Sequence, residues 1–392
     1  MNGHTRIVGA SGSGKSTELV RRILADIENN KAVILIDPHG SNVDTVLSHF
    51  PKRSPIASDP SQYKRLVYLD PTDYPVAWNP LTSPGNPATL ASSYLDTWRS
   101  IANFGVGSPF FDDCIYYSAA AMIENGGTVL GMVKMLTSGD YRTTIKVKDS
   151  VVSDFWDFFE TLDPKSRAQH ISSSVSRLRL FIADSRIRNC VCQTRESFCL
   201  EDIIKDKGVL LARFPIHKLG ITKSRTLCQM LLGQVNATAM SVGKEISVYL
   251  DEAHFFAGNT FMEMLSGSRK YGVSLTFAHQ YFRQFDEENL KAIEGNTETN
   301  IYYRLGYDDS QNLMRSMPPN NTIKEFHEFP RYTARTIGVS DNPDRCDPEL
   351  MDPIGSEPSP TMRRNLLRVS RGLYGRNRAH VEREIAAFMT RY

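Results

Sequence analysis

The sequence predicts an α/β fold: an open sheet interrupted by an all-helical block. Three observations carry this. Short apolar runs end in glycine-rich or acidic turns: Thr5–Val8 before Gly9, Ala32–Ile36 before Asp37, and Ile246–Leu250 before Asp251 and Glu252. Behind the first run, Leu19, Val20, Ile23, Leu24 and Ile27 recur at helical spacing. From about Ala88 to Cys199 the pattern is mainly helical.

The first turn reads Gly9-Ala10-Ser11-Gly12-Ser13-Gly14-Lys15-Ser16-Thr17. This is G-x-x-x-x-G-K-[ST], the phosphate-binding P-loop. Glycines let successive backbone N–H groups point at phosphate oxygens at the positive end of the following helix. Lys15 is placed to reach the β- and γ-phosphates, and Ser16 to put its hydroxyl on Mg²⁺. The expected ligand is therefore ATP with Mg²⁺.

Ala32–Ile36 is a continuous apolar run, as in a strand covered on both faces, and it ends in Asp37-Pro38-His39-Gly40. Ligands of open α/β sheets gather at that edge. The residues leave two roles open for Asp37, facing the nucleotide or forming the turn. Leu66–Leu69 is a further strand, followed by Asp70-Pro71 and Trp78-Asn79-Pro80-Leu81.

Ser83-Pro84-Gly85-Asn86-Pro87 is a loop signal. Beyond it, helical faces are expected at Ala91, Leu95, Trp98 and Ala102; at Cys114, Ile115, Ala119, Met122 and Ile123; at Phe155, Phe158, Phe159 and Leu162; and at Ile171, Val175, Leu178 and Ile182. Arg177, Arg179, Arg186, Arg188 and Arg195 in this block suit either a solvated helix face or a phosphate-contacting surface.

Strands return at 208–214. A helix is expected from Ser224 to about Val242, before the strand Ile246–Leu250. A hydrophobic strand ending in two acids is a Walker B arrangement, with Asp251 on Mg²⁺ and Glu252 polarising the attacking water. Met262–Tyr271 reads as helical. Val273–Ala278 is a strand whose tip carries His279 and Gln280, and Gln280 is the candidate to touch the γ-phosphate or the lytic water. Asn300–Leu305 is expected as the last core strand and 333–339 as an edge strand. Residues 361–392 are basic, which suits a nucleic-acid arm, a partner-docking helix or a solubilising tail.

Composition sets bounds. Hydrophobic residues make up 41% and charged residues 23%, and the net charge is +2. That suits a globular protein and excludes a uniformly basic nucleic-acid coat. Cys114, Cys190, Cys192, Cys199, Cys228 and Cys346 form no C-x-x-C pair, so free thiols in a reducing cytosol are expected. No apolar run approaches the ~18 residues of a membrane span.

The order P-loop, ILIDPHG, LVYLDPTDYPVAWNPL, helical insert, VYLDEAH, SRKYGVSLTFAHQ and EGNTETNIYYRL resembles the HerA–FtsK superfamily. Within it, the likeness is to conjugative coupling proteins of the TraG/TraD kind. The resemblance covers roughly residues 5–340 and implies a RecA-like P-loop NTPase core, here expected over residues 1–85 and 206–340, around the all-α insert read over 86–205 and before the basic tail of 341–392. It also implies an ATP-hydrolysing DNA translocase that self-associates into a ring, usually a hexamer, with nucleic acid in the channel and each site between subunits. Arg269 matches the family's arginine finger, which acts on a neighbour's ATP, and Gln280 its motif III glutamine.

Coupling proteins usually begin with transmembrane helices, and HerA proteins with a small β-barrel; neither pattern precedes this P-loop. The expectation is thus a cytoplasmic, prokaryotic or mobile-element ATPase that moves or packages DNA, with a relaxase, nuclease or portal-type partner. The same core also serves ATPases that act on protein during secretion or assembly.

Overall fold

The computed structural model describes residues 3–102, 109–316, 326–338 and 347–392. Cys346, residue 339 and the expected boundary at 340/341 lie outside the described residues. The chain divides into two compact units. The first comprises Met1–Tyr68, Glu201–Pro215 and Val242–Ser370; the second comprises Leu69–Leu200, Ile216–Ser241 and Arg371–Tyr392.

The first unit is built on a nine-stranded sheet. Its strands are β1 (Thr5–Val8), β2 (Ala32–Asp37), β3 (Leu66–Leu69), β4 (Val209–Arg213), β5 (Ile246–Leu250), β6 (Val273–His279), β7 (Thr299–Tyr302), β8 (Thr333–Gly338) and β9 (Glu349–Leu350). They lie in the order β3-β4-β2-β5-β6-β1-β7-β8-β9. From β4 to β7 every neighbouring pair is parallel, and β8 and β9 add on antiparallel. The α/β RecA-like core read from the sequence is present. One expectation changes: β8 is not the edge, because β9 pairs with it at Thr333 and Ala334.

Parallel strands need crossovers, and here helices supply them. Helix α1 (Lys15–Glu28) follows the P-loop and buries Leu19, Val20, Ile23, Leu24 and Ile27. Each buried aliphatic side chain contributes roughly 1.5–3 kcal/mol. Asn30 ends this crossover at φ 56°, a left-handed turn that no helix can continue through. Helix α2 (Ser41–Ser48) follows β2 and buries Val43, Val46 and Leu47 on the same core. All six residues of β2 are buried, as its unbroken apolar run requires.

The second unit is helical. Between β3 and β4 there are helices and no strand among the described residues, the longest being Pro87–Ala102, Pro109–Glu124 and Pro164–Ile182. Several start on a side-chain cap: Asp149, Asp163 and Asp184 each accept N–H bonds from the first turn. Of the expected faces, Ala91, Leu95 and Trp98 are buried, as are Val175, Leu178 and Ile182, while Ile171 is half-buried and the side chain of Ala102 lies outside those described.

Of the face expected at Phe155, Phe158, Phe159 and Leu162, Phe159 is in the core, Phe155 and Leu162 are half-buried, and Phe158 is not buried. The helix Ser150–Thr161 buries Val152, Trp156 and Phe159 and leaves Phe158 54% exposed. Both stripes are apolar at helical spacing, so periodicity does not choose between them. The arginines are mostly engaged: Arg186 pairs with Asp184, Arg188 caps the carbonyls of Ile182 and Ala183, and Arg177 lies 5.2 Å from the Phe111 ring.

The basic C-terminal segment is folded rather than a free arm. Helices Pro360–Tyr374 and Arg378–Arg391 bury Leu366, Leu367, Val381 and Ile385. Arg363 pairs with Asp44, Arg371 with Asp73 and Arg376 with Glu384. Cys114, Cys190, Cys192 and Cys199 are free thiols, and burial pushes those of Cys114, Cys190 and Cys192 up to about 12. Such thiols are packing residues rather than nucleophiles.

Candidate nucleotide site

The C-terminal ends of β1, β2, β5 and β6 open on one edge of the sheet, and the site residues sit there. The P-loop leaves β1 at Gly9, whose N–H donates to the carbonyl of His279 at the end of β6. Gly12 and Gly14 have φ of 73° and 126°. A Cβ on Gly14 would also lie 2.9 Å from the Tyr303 ring, so the loop's path needs glycine there. Lys15 opens α1 and is 8% exposed; its ammonium donates to the carbonyls of Gly9 at 2.6 Å and Ala10 at 3.0 Å. Burial pushes its pKa down, and the charges of Glu252 and Asp251 pull it back. Ser16 is exposed at the helix start, and Thr17 is half-buried behind it.

Asp251 and Glu252 follow β5, and both are buried. Asp251 accepts a 2.8 Å bond from the Asn42 side-chain amide. Asp37, at the end of neighbouring β2, is a turn former. Its Oδ1 accepts the N–H groups of His39 and Gly40, and its Oδ2 those of Asn42 and Val43. Burial pushes both carboxyls upward. The four N–H donors oppose the rise at Asp37, whereas the charges of Asp37 and Glu252 add to it at Asp251. A divalent cation is the chemistry that relieves such a buried acid.

Glu252 sits in the left-handed region at φ 53°, ψ 61°. A non-glycine residue held there costs of order 1–3 kcal/mol and persists where the surroundings over-determine it. The surroundings are visible. The Gln280 side-chain amide donates to Glu252 Oε1 at 2.7 Å, His254 Nδ1 lies 3.5 Å from Oε2, and His39 Nε2 lies 3.9 Å from Oε1. Gln284 bonds His254 at 2.9 Å and accepts the N–H groups of Gln280 and Tyr281. Two buried oxygens, Ser13 Oγ and Glu252 Oε2, make no hydrogen bond within the protein. The donor set of P-loop amides, an ammonium, a hydroxyl and two buried acids fits a magnesium nucleotide.

Arg269 is not in this constellation. It lies in the turn before β6, at the strand-start edge, and pairs with Glu298 at 2.7 Å just before β7. The seven residues of β6 place it about 20 Å from the P-loop edge at the usual strand rise.

The chain is similar in fold to the conjugative coupling protein TrwB. The TrwB structure with a non-hydrolysable ATP analogue matches at 12% identity and a TM-score of 0.61, over 91% of this chain and 86% of that one. TrwB with ADP and Mg²⁺ matches at 13% and 0.60, over 90% and 86%. VirB4 of Thermoanaerobacter pseudethanolicus matches at 14% and 0.57, over 92% and 90%. At these identities the likeness is one of fold. No protein-family model and no curated protein sequence matches the chain. The fold is thus that of the P-loop ATPases.

Asn42, His254 and Gln284 were not candidates from sequence, and His39 was noted only as part of a turn. Their signal was weak but present: His39 and Asn42 follow a buried strand at the ligand-bearing edge, and His254 directly follows the acids.

Proposed function

We propose that the protein is an ATP-hydrolysing motor of the HerA–FtsK kind that assembles as a hexameric ring and moves DNA. The observation that supports it most is Glu252, held strained at the mouth of the P-loop by the amide of Gln280. Backbone N–H groups of residues 9–17 and the Lys15 ammonium would hold the phosphates. Ser16 and Asp251 would hold Mg²⁺, which when bound neutralises phosphate charge. Glu252 takes the proton of the attacking water, and Gln280 orients that carboxylate.

The distance of Arg269 from its own P-loop supports a role in a neighbour's site, as a ring supplies. Purified protein should hydrolyse ATP faster with DNA present. Lys15→Ala and Glu252→Gln should each lower turnover by about 10²–10⁴-fold, the range for a lost acid–base group. Equal rates with and without DNA would argue against DNA as the substrate.

A second reading, an ATPase acting on protein, has one observation in its favour. Residues 149–163 hold five acids and no base, and Phe158 stands exposed among them. Glu160 among these acids is paired with Arg142 and Arg167, so it is the exposed Phe158 that suits a protein partner.

A further inference from the structure

Arg6 is a charged residue in the middle of β1, the strand that delivers the P-loop, and its side chain has no solvent exposure. Burying a guanidinium is costly unless its charge and N–H groups are answered. The answer is specific but partial: only Nε finds a hydrogen-bond partner, while Nη1 and Nη2 make no hydrogen bond within the protein. Arg6 Nε donates to His279 Nε2 at 2.8 Å, and the guanidinium carbon lies 4.9 Å from the centre of the Phe282 ring. Its Nη1 lies 3.7 Å from Glu294.

The bond to Nε2 has a consequence for the ring. An imidazole nitrogen that accepts carries no proton, so the proton of neutral His279 sits on Nδ1. That nitrogen is 3.2 Å from the carbonyl oxygen of Tyr281, to which it donates. Burial and the Arg6 charge both push the His279 pKa well down, which keeps the ring neutral. The turn 279–284 is therefore gripped twice. His279 holds the carbonyl of Tyr281 from inside, and Gln284 Oε1 holds the N–H groups of Gln280 and Tyr281 at 2.7 and 3.2 Å. Phe282 is fixed as well, its N–H donating to Asp309 at 3.0 Å.

We propose that Arg6 and His279 are positioning residues for Gln280: their bond selects one imidazole tautomer, which locks the turn that carries the Gln280 amide to Glu252. This rests on the reading of Glu252 and Gln280 given above. An apolar pair in the same space would hold the sheet together equally well, but it would leave the Tyr281 carbonyl without its donor.

The test separates positioning from packing. The variants are Arg6→Met with His279→Leu, His279→Leu alone, His279→Gln, and Gln280→Ala alone and on the double background. The readouts are thermal midpoint, KM for ATP and kcat. The double apolar variant should keep its midpoint and KM near those of the parent and lose kcat by about tenfold or more, the scale of a small misplacement. Adding Gln280→Ala should cost nothing further, since both changes remove one function. His279→Gln offers Arg6 an acceptor and Tyr281 a donor, and should recover most of the rate.

A folded double variant with parental kcat would overturn the proposal, as would losses that multiply with Gln280→Ala. If the double variant does not fold, His279→Leu against His279→Gln carries the same comparison. Should Gln280→Ala and Glu252→Gln themselves leave kcat unchanged, the reading of the site fails rather than the role of the pair.

Discussion

Glu252 shows stability and chemistry opposed in one residue. Its left-handed backbone and its closeness to Asp251 both cost folding free energy. Glu252→Gly should therefore raise the thermal midpoint, by about 1 kcal/mol of relieved strain, while abolishing hydrolysis. A calorimetric scan beside a turnover assay checks both. Two buried histidines weaken the fold in acid. Burial holds the pKa of His4 and His279 below the ordinary 6.5. Above 6.5 both folded and unfolded chains carry them neutral. Below it only the unfolded chain takes up the protons, so stability falls as pH drops from 6.5 through the folded values. Asp251 and Glu196, pushed up to about 7 by burial, act in the opposite sense over the same range, so the histidine effect should appear as a smaller acid loss in His279→Gln than in the parent in melting curves from pH 8 to 5. Local sequence displayed Lys15, Asp251, Glu252 and Gln280, because each ends a recognisable strand or loop. It hid Arg6 and His279, because their meeting is set by the β1–β6 register, where Val8 pairs with His279. No spacing rule encodes a register between strands 271 residues apart.

The turn after β2 is the element on which the second half of the site depends. Asp37 answers four backbone N–H groups and so fixes where Asn42 meets Asp251. Asp37→Ala would leave those donors without a partner in a buried place, at about 1–3 kcal/mol for each that water cannot reach. A loss of about 3 kcal/mol or more in urea titration is expected, with magnesium-nucleotide affinity falling too. Asp37→Asn should be milder, because an amide oxygen still accepts. Strands and the long helices were legible from period and composition. The inward face of Ser150–Thr161 was not, since its two stripes are equally apolar and only the packing of Trp156 decides between them.

Across the whole molecule, the two residue sets proposed for hydrolysis lie at opposite edges of one sheet. The P-loop, Asp251, Glu252 and Gln280 occupy the strand-end edge, and Arg269 the strand-start edge beside Glu298. Arg269→Ala and Glu252→Gln should each abolish turnover alone, and mixing the two proteins before assembly should restore part of it. No recovery in the mixture would place the arginine outside the reaction. The strand order was not legible, because it is set by pairings between segments far apart in the chain, and β9, two residues long, carries no pattern of its own.

The separation of these edges also sets a counting rule. In an open row of subunits, each contact completes one reaction centre, so a row always has one fewer working centre than it has members. Closing the row adds the missing one. On the proposed assembly, total activity should therefore climb more steeply than protein concentration, and activity per subunit should level off only when the row has met its own tail.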